Sequence, residues 1–434
     1  MEKLFKLKEK GTTVRTEITA GITTFMTMAY ILAVTPMILQ ASGMEFARTF
    51  TATAIASAIA CAVMGFLANL PFALSAGMGL NTLFSYTVCV GMGYSWKWAL
   101  TAVFVEGIIF IVMTLTNIRE AIIASIPANI KKAIGAGIGF FIAYIGLKNA
   151  GLVVANEGTI SALNPEWYKG PSALALVGVV ITGILLVKKV RGALLIGMLI
   201  TTVIGIPFGI TKYAGGSFLP EAPYLFEFAF DEIFVDAKSI MDFVVIIFTF
   251  LYFDMFDTVG TFIACAEKAG IVGEDGKIPR AKQGLLADAI GTTVGASLGT
   301  STITTFAETS AGVAEGGKTG LTAITVGFFF LISLFLEPLF GSIPSAATAP
   351  ALIVVGVMMV TSVKEIDFED YSEAIPAFLT ILFMVCASSI SDGIMFGILS
   401  YVVVKGFAGK AKEVSVLTYV LAVLFLLKVV IALL

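Results

Sequence analysis

The chain contains no histidine among its 434 residues. That removes the commonest proton shuttle and metal ligand, so proton chemistry falls to carboxylates or tyrosine. Charge is also scarce, at 13% of residues with a net charge of −3, where soluble domains carry about 25%. Nothing in that balance points to a nucleic-acid partner. The four cysteines, Cys61, Cys89, Cys265 and Cys386, each stand alone in an apolar segment. Such spacing excludes a disulfide framework or a metal-ligand cluster and leaves small core residues. The opening MEKLFKLKEKGTTVR is polar and mixed in charge, so no cleavable signal peptide is expected there. No cofactor is expected either.

What is present is apolar. Hydrophobic residues make up 58% of the chain and the mean hydropathy is +0.98, the profile of a polytopic membrane protein. A spanning helix needs about 20 mostly apolar residues. Stretches near 17–40, 46–69, 95–116, 128–149, 171–188, 192–213, 240–266, 320–340, 345–363, 372–389, 391–407 and 414–433 meet or approach this. Two further regions, 71–90 and 281–316, are rich in small and hydroxyl residues (PFALSAGMGLNTLF, LGTSTITTFAETSAG). Lys and Arg collect in the N-terminal tail, NIREAIIASIPANIKKAI, VKKVRG, EKAGIVGEDGKIPRAKQG and KGFAGKAKE. These loops should face the cytoplasm, and the acidic loop FLPEAPYLFEFAFDEIFVD the outside. The expectation is about fourteen crossings of the cytoplasmic membrane, with the side of the C-terminus left open by segment 414–433.

The two halves echo each other. Ser125-Ile126-Pro127 and Ser342-Ile343-Pro344 each open an apolar helix, ALLIGML and GIMFGIL follow in turn, and the two irregular segments fall in corresponding places. Two halves of seven spans would be related by inversion, and matching interrupted segments in such halves point to a transporter's binding site.

One motif pulls elsewhere. GVAEGGKTG, from Gly312 through Lys318 and Thr319, fits a nucleotide phosphate loop. It is preceded by a hydroxyl-rich stretch rather than a hydrophobic strand and followed by a spanning helix. The expected reading is a tight cytoplasmic turn with Lys318 as an anchor.

Ionisable groups inside the hydrocarbon cost about 2.5–3.5 kcal/mol each on insertion scales, so those that remain are functional candidates. In FTFLYFDMFDTVGTF, Asp254 and Asp257 are three apart and share a helix flank. Glu308 lies in TTFAETSAG, Asp288 in LLADAIGTT and Glu106 in AVFVEGIIF. Asp257 and Glu308 are the expected ligand-binding acids; Asp254, Asp288 and Glu106 are read as structural partners. Acids without a basic partner suit a cation or a neutral ring rich in N–H groups, because carboxylates accept such donors. Phe306 could lie against that ring. Asn81 and Glu308 would sit at the starts of half-helices lining a cavity.

The segments AGITTFMTMAYIL, SAGMGLNTLF, DMFDTVGTFIACAEKAG, GKIPRAKQGLLADAIGTTVGASLGTSTITTFAETSAGVAEGG and ATAPALIVVG resemble the AzgA-like purine permeases of the nucleobase/cation symporter superfamily. The resemblance runs from about residue 11 to 405. It implies an all-α polytopic fold of fourteen spans in two inverted seven-span repeats, with spans three and ten each a short strand plus half-helix. It implies a tail at 1–16, a core domain of 17–116 with 238–341, and a gate domain of 117–237 with 342–434. The site residues carried over are Asp257, Glu308 and Asn81, with Thr261 one turn from Asp257 and the backbone at Phe306 and Ala307. The implied activity is proton-coupled import of hypoxanthine, guanine or adenine by elevator movement, with Glu308 and Asp257 as coupling acids and a homodimer as a possible assembly. The alternatives left open are sodium coupling, another nucleobase, and a nucleotide-driven transporter using Gly312–Thr319.

Overall fold

The computed structural model describes residues 2–116, 127–156, 158–215, 218–272 and 278–433. The first Ser-Ile-Pro lies outside them except for Pro127, as do Arg119 and the centre of the 267–284 loop. The architecture is helical. After a four-residue turn of helix at Glu2–Phe5, the first long helix runs Val14–Met28 (α1), capped by Thr13, whose hydroxyl accepts from Thr16 N. After a break at Ala29 and Tyr30, Ile31–Gln40 (α2) follows. Phe46–Val63 (α3) ends in one π-helical turn. Strand β1, Leu74–Ala76, leads into Met78–Thr82 (α4), continued by π-helical turns to Gly91. Trp96–Thr116 (α5), Ala128–Asn149 (α6), Gly170–Val187 (α7) and Ala193–Gly205 (α8) complete the first half.

The second half holds Ala237–Lys268 (α9), Ala281–Leu298 (α10), the strand Ile303–Thr305 and Thr309–Ala314 (α11). It continues with Gly320–Ser333 (α12), Ser345–Val360 (α13), Tyr371–Cys386 (α14), Ile390–Phe407 (α15) and Val416–Leu433 (α16). Among the described residues, eight helices are long and apolar enough to cross a membrane.

Two strand pairs interrupt the helices, and the second of them comprises the short strands that the resemblance implies. Val153–Asn156 (β2) and Ile160–Leu163 (β3) form a hairpin that the hydropathy profile gave no reason to expect. The other pair is internal: β1 lies antiparallel to Ile303–Thr305 (β4), with Leu74 opposite Thr305 and Ala76 opposite Ile303. A two-stranded ribbon among apolar helices exposes unpaired backbone edges, which hydrocarbon does not tolerate. Side chains cover them here. Thr292 Oγ1 donates to Ile303 O and accepts from Ile303 N. Cys61 Sγ accepts from Leu74 N, and Thr309 Oγ1 from Ala73 N.

Glycines set the closest approaches. A Cβ at Gly139 in α6 would collide with the Gly356 carbonyl in α13, and one at Gly356 with the Gly139 carbonyl. These two helices therefore pack backbone to backbone, the small-residue mode of membrane helices. Gly197 of α8 abuts Thr182 of α7, and Gly397 of α15 abuts Thr380 of α14. Most packing falls into two sets. Helices α1, α3, α5, α10 and α12 lie on one another, while α6, α7, α8, α13, α14 and α15 do the same.

Candidate functional site

Where the two half-helices begin, the chain leaves a cavity of about 130 Å³. That is well below the roughly 300–1,000 Å³ of drug-sized sites, so it suits a small ligand. Asp257, Thr261, Phe306, Ala307 and Glu308 line it, together with Tyr30 and Thr304. Among the described residues, no lysine or arginine lines it.

The helix α9 presents two adjacent stripes, because residues four apart share a face. Asp257 and Thr261 point to the cavity. Asp254 and Thr258 point the other way: Thr258 Oγ1 lies 3.0 Å from Asp254 Oδ1 and 3.1 Å from Asp288 Oδ2. The single flank expected for Asp254 and Asp257 is thus divided, with only Asp257 on the cavity. Glu106 is engaged behind the ribbon, accepting from Thr302 Oγ1 at 2.8 Å. Neither it nor Asp288 lines the cavity.

Glu308 is the N-cap of α11, reached from the α1–α2 break across 278 residues: Tyr30 donates its hydroxyl to Glu308 Oε1 at 2.8 Å. Thr304 of β4 stands 3.4 Å from Asp257 Oδ2. Sequence reasoning missed both hydroxyls. Tyr30 sits in the quoted AGITTFMTMAYIL, and the signal available was a tyrosine in an apolar span whose hydroxyl needs a partner.

Two expected contacts are placed differently. Asn81, in the first turn of α4, is fully buried and donates to Thr35 Oγ1 at 3.0 Å; it stands behind the cavity wall rather than on it. The Phe306 amide is committed to Ala73 O at 3.0 Å as an extension of the ribbon. That narrows the expected backbone contact to Ala307.

The glycine-rich turn after α11 is also filled from within. The buried Glu17 accepts from the backbone amides of Lys318 (2.9 Å) and Thr319 (3.1 Å) and from Thr322 Oγ1 (2.6 Å). Asn69 Oδ1 accepts from Gly320 N, while the amides of Gly316 and Gly317 bond to Val313 O and Gly312 O. A phosphate loop needs those amides for its ligand. Here a carboxylate of the chain takes the phosphate's place, and a short helix stands where the motif requires a strand.

Two larger cavities are found among the described residues. A cavity of about 440 Å³, lined by Lys189 and Arg191, meets the small one at Ala307, Glu308 and Met358. Arg191 pairs there with Glu315. Another, of about 550 Å³ and lined by Glu45, Glu221 and Glu337, has no lining residue in common with the small one. Met37 of that cavity has its Sδ 2.8 Å from Thr348 Oγ1.

The chain matches the profile of a family described as the Permease family over residues 15–396. It is 39% identical to the adenine permease AdeP of Escherichia coli, covering 99% of this chain and 96% of that one. It is 42% identical to the guanine/hypoxanthine permease PbuG of Bacillus subtilis, over 98% of this chain and 99% of that one. Among solved structures, the transmembrane domain of the cyanobacterial bicarbonate transporter BicA superposes with a TM-score of 0.67 at 15% identity, covering 88% of this chain and 97% of that one. At that identity the likeness is one of fold.

Proposed function

We propose that this chain, which belongs to the permease family and is a multi-pass protein of the cytoplasmic membrane rather than an enzyme, imports purine nucleobases in symport with protons. The carrying observation is the small cavity itself. It holds two carboxylates, Asp257 and Glu308, and no cationic side chain among its described lining residues. Such a site accepts N–H groups and repels anions. The names of the adenine and guanine/hypoxanthine permeases it resembles supply the class of base.

In this reading the base lies between Asp257 and Glu308, with Thr261, the Phe306 ring and the Ala307 backbone as further contacts. Asn81 holds the half-helix from behind in this conformation. One carboxylate binds the base ionised, and protonation of the other sets which way the site faces. With no histidine in the chain, these acids are also the natural proton carriers.

Fourteen spans in two inverted repeats are supported by the antiparallel strands β1 and β4, each followed by a short helix. The matching contacts Gly197–Thr182 and Gly397–Thr380 point the same way. The two packing sets support a core of 17–116 with 238–341 and a gate of 117–237 with 342–434. Elevator movement of the core against the gate would expose the site alternately to the acidic cavity, taken as outer, and to the basic one, taken as inner by the positive-inside rule. The conformation described here is then inward-facing, since the small cavity shares lining residues with the basic one and none with the acidic one.

The test is uptake of radiolabelled hypoxanthine into cells lacking their own purine carriers. Unlabelled adenine, guanine, xanthine and uracil serve as competitors, with and without a protonophore. Uptake that collapses with the protonophore and is blocked by purines supports the proposal. Sodium-dependent uptake indifferent to the protonophore would overturn the coupling ion while keeping the site. No purine uptake would overturn the substrate.

A further inference from the structure

Behind the cavity, Asp254 of α9 and Asp288 of α10 are fully buried and meet on one hydroxyl. Thr258 Oγ1 stands 3.0 Å from Asp254 Oδ1, and 3.2 and 3.1 Å from Asp288 Oδ1 and Oδ2. A threonine hydroxyl has one proton to donate and two lone pairs with which to accept. It donates to one of the two acids. The other then faces it oxygen to oxygen, lone pair against lone pair, unless that acid brings a proton of its own. Asp288 presents both oxygens evenly to the hydroxyl, as an ionised acceptor does. Asp254 presents one, as an O–H donor does. Donation therefore runs from Asp254 to Thr258 to Asp288.

The surroundings match a proton rather than a metal ion. Among the described residues no acids gather into a metal-binding group. Glu106 of α5, also fully buried, is close enough to Asp288 to feel its charge. Its Oε2 accepts from Thr302, and its Oε1 has no hydrogen-bond partner among the described residues. An ionised oxygen left so is costly in a dry interior, so this corner of the core suits acids that keep their protons. The cations on the helices around it are engaged elsewhere. Arg48 of α3 lies over the Tyr224 ring, Lys97 of α5 pairs with Glu227, and Lys282 of α10 donates to Leu115 O. Cys61 of α3 is bonded to Leu74.

We infer that Asp254, Thr258 and Asp288 form a proton-binding site in the core, separate from the base cavity, with the proton on Asp254. That proton bonds α9 to α10. It also leaves Asp254 neutral three residues from Asp257, which removes a like-charge repulsion along the helix and makes Asp257 the one of the two that can meet the base ionised. The site goes beyond the proposed symport, whose proton carriers are Asp257 and Glu308, and holds whichever base is carried.

Infrared spectra of the purified wild type and of Asp254→Asn test it. The variant should lose one band of a protonated carboxyl and keep its carboxylate bands. Loss of a carboxylate band with the protonated region unchanged overturns the inference, and an ionised Asp254 in a purely structural role gives that result. The asparagine variant should fold at near wild-type yield, because its amide N–H donates to Thr258 as the acid did. Asp254→Ala has no such donor and should lower the yield several-fold. Should the asparagine variant fail to fold, Thr258→Val removes the hydroxyl and nearly keeps the shape. The protonated-carboxyl band should then shift in frequency, and an unshifted band overturns the inference. The spectra need no purine: a wild type that takes up no purine overturns the proposed transport alone, and an unchanged protonated-carboxyl band overturns this site alone.

Discussion

Glu17 and Glu308 are both glutamates drawn in from the aqueous phase, and they have opposite fates. Glu17 is fully buried and saturated, its two oxygens receiving two backbone amides and a threonine hydroxyl. Glu308 receives one tyrosine hydroxyl and otherwise fronts a cavity. Burial of an acid is therefore a poor mark of function by itself. What separates the two is whether the chain has filled the acceptor. A filled carboxylate is a structural fastener. One left facing a cavity is held ready for a partner from outside, because an unmet buried charge is costly.

The comparison breaks most sharply at Glu308. Glu308→Gln keeps the shape and the Tyr30 contact but removes the charge and the proton site. Purine uptake should fall by at least about 100-fold, the loss of one or two charge-assisted bonds. Melting of the purified protein in detergent should stay within a few degrees, since about 1 kcal/mol moves Tm by only a few degrees in a large domain. Wild-type uptake in that variant would sink the assignment. Glu17→Ala should do the reverse. It leaves three donors unmet, at about 1–3 kcal/mol each, so the yield of folded protein should drop several-fold while whatever protein is inserted keeps its KM. A raised KM at normal yield would place Glu17 in the transport path instead.

The smallest effect sharpens the same contrast. Lys318 gives its backbone amide to Glu17, and that bond survives any side-chain change. Lys318→Ala should therefore leave uptake within about twofold and stability within about 0.5 kcal/mol, as for a surface site. Abolished uptake, with ATPase activity in the purified wild type, would restore the phosphate-loop reading.

Much of this site was legible before any fold was known. Asp257 and Glu308 stand out because acids are expensive in an apolar stretch. The segments around Asn81 and Glu308 stand out because they interrupt the hydropathy pattern in matching places. Asp254 was harder. Three residues from Asp257, it shares a flank by helical arithmetic, but about 60° of rotation is enough to turn it to Asp288 and away from the cavity. The β2–β3 hairpin was not legible, since nothing in its composition separates it from a loop.

The sequence by itself determined the class of protein, the scarcity of intramembrane charge, and which few acids could bind a base. Hydropathy and local spacing report burial and face, and these need no long-range information. Only the tertiary structure decided which acids are answered from within the chain. Tyr30 meets Glu308 across 278 residues and Glu17 meets Lys318 across 301. A hydrogen bond depends on atoms brought within about 3 Å, and no spacing along the chain encodes that distance. Helix packing does, through the glycines that let backbones touch and the antiparallel strand pairing that sets two short helices against one cavity.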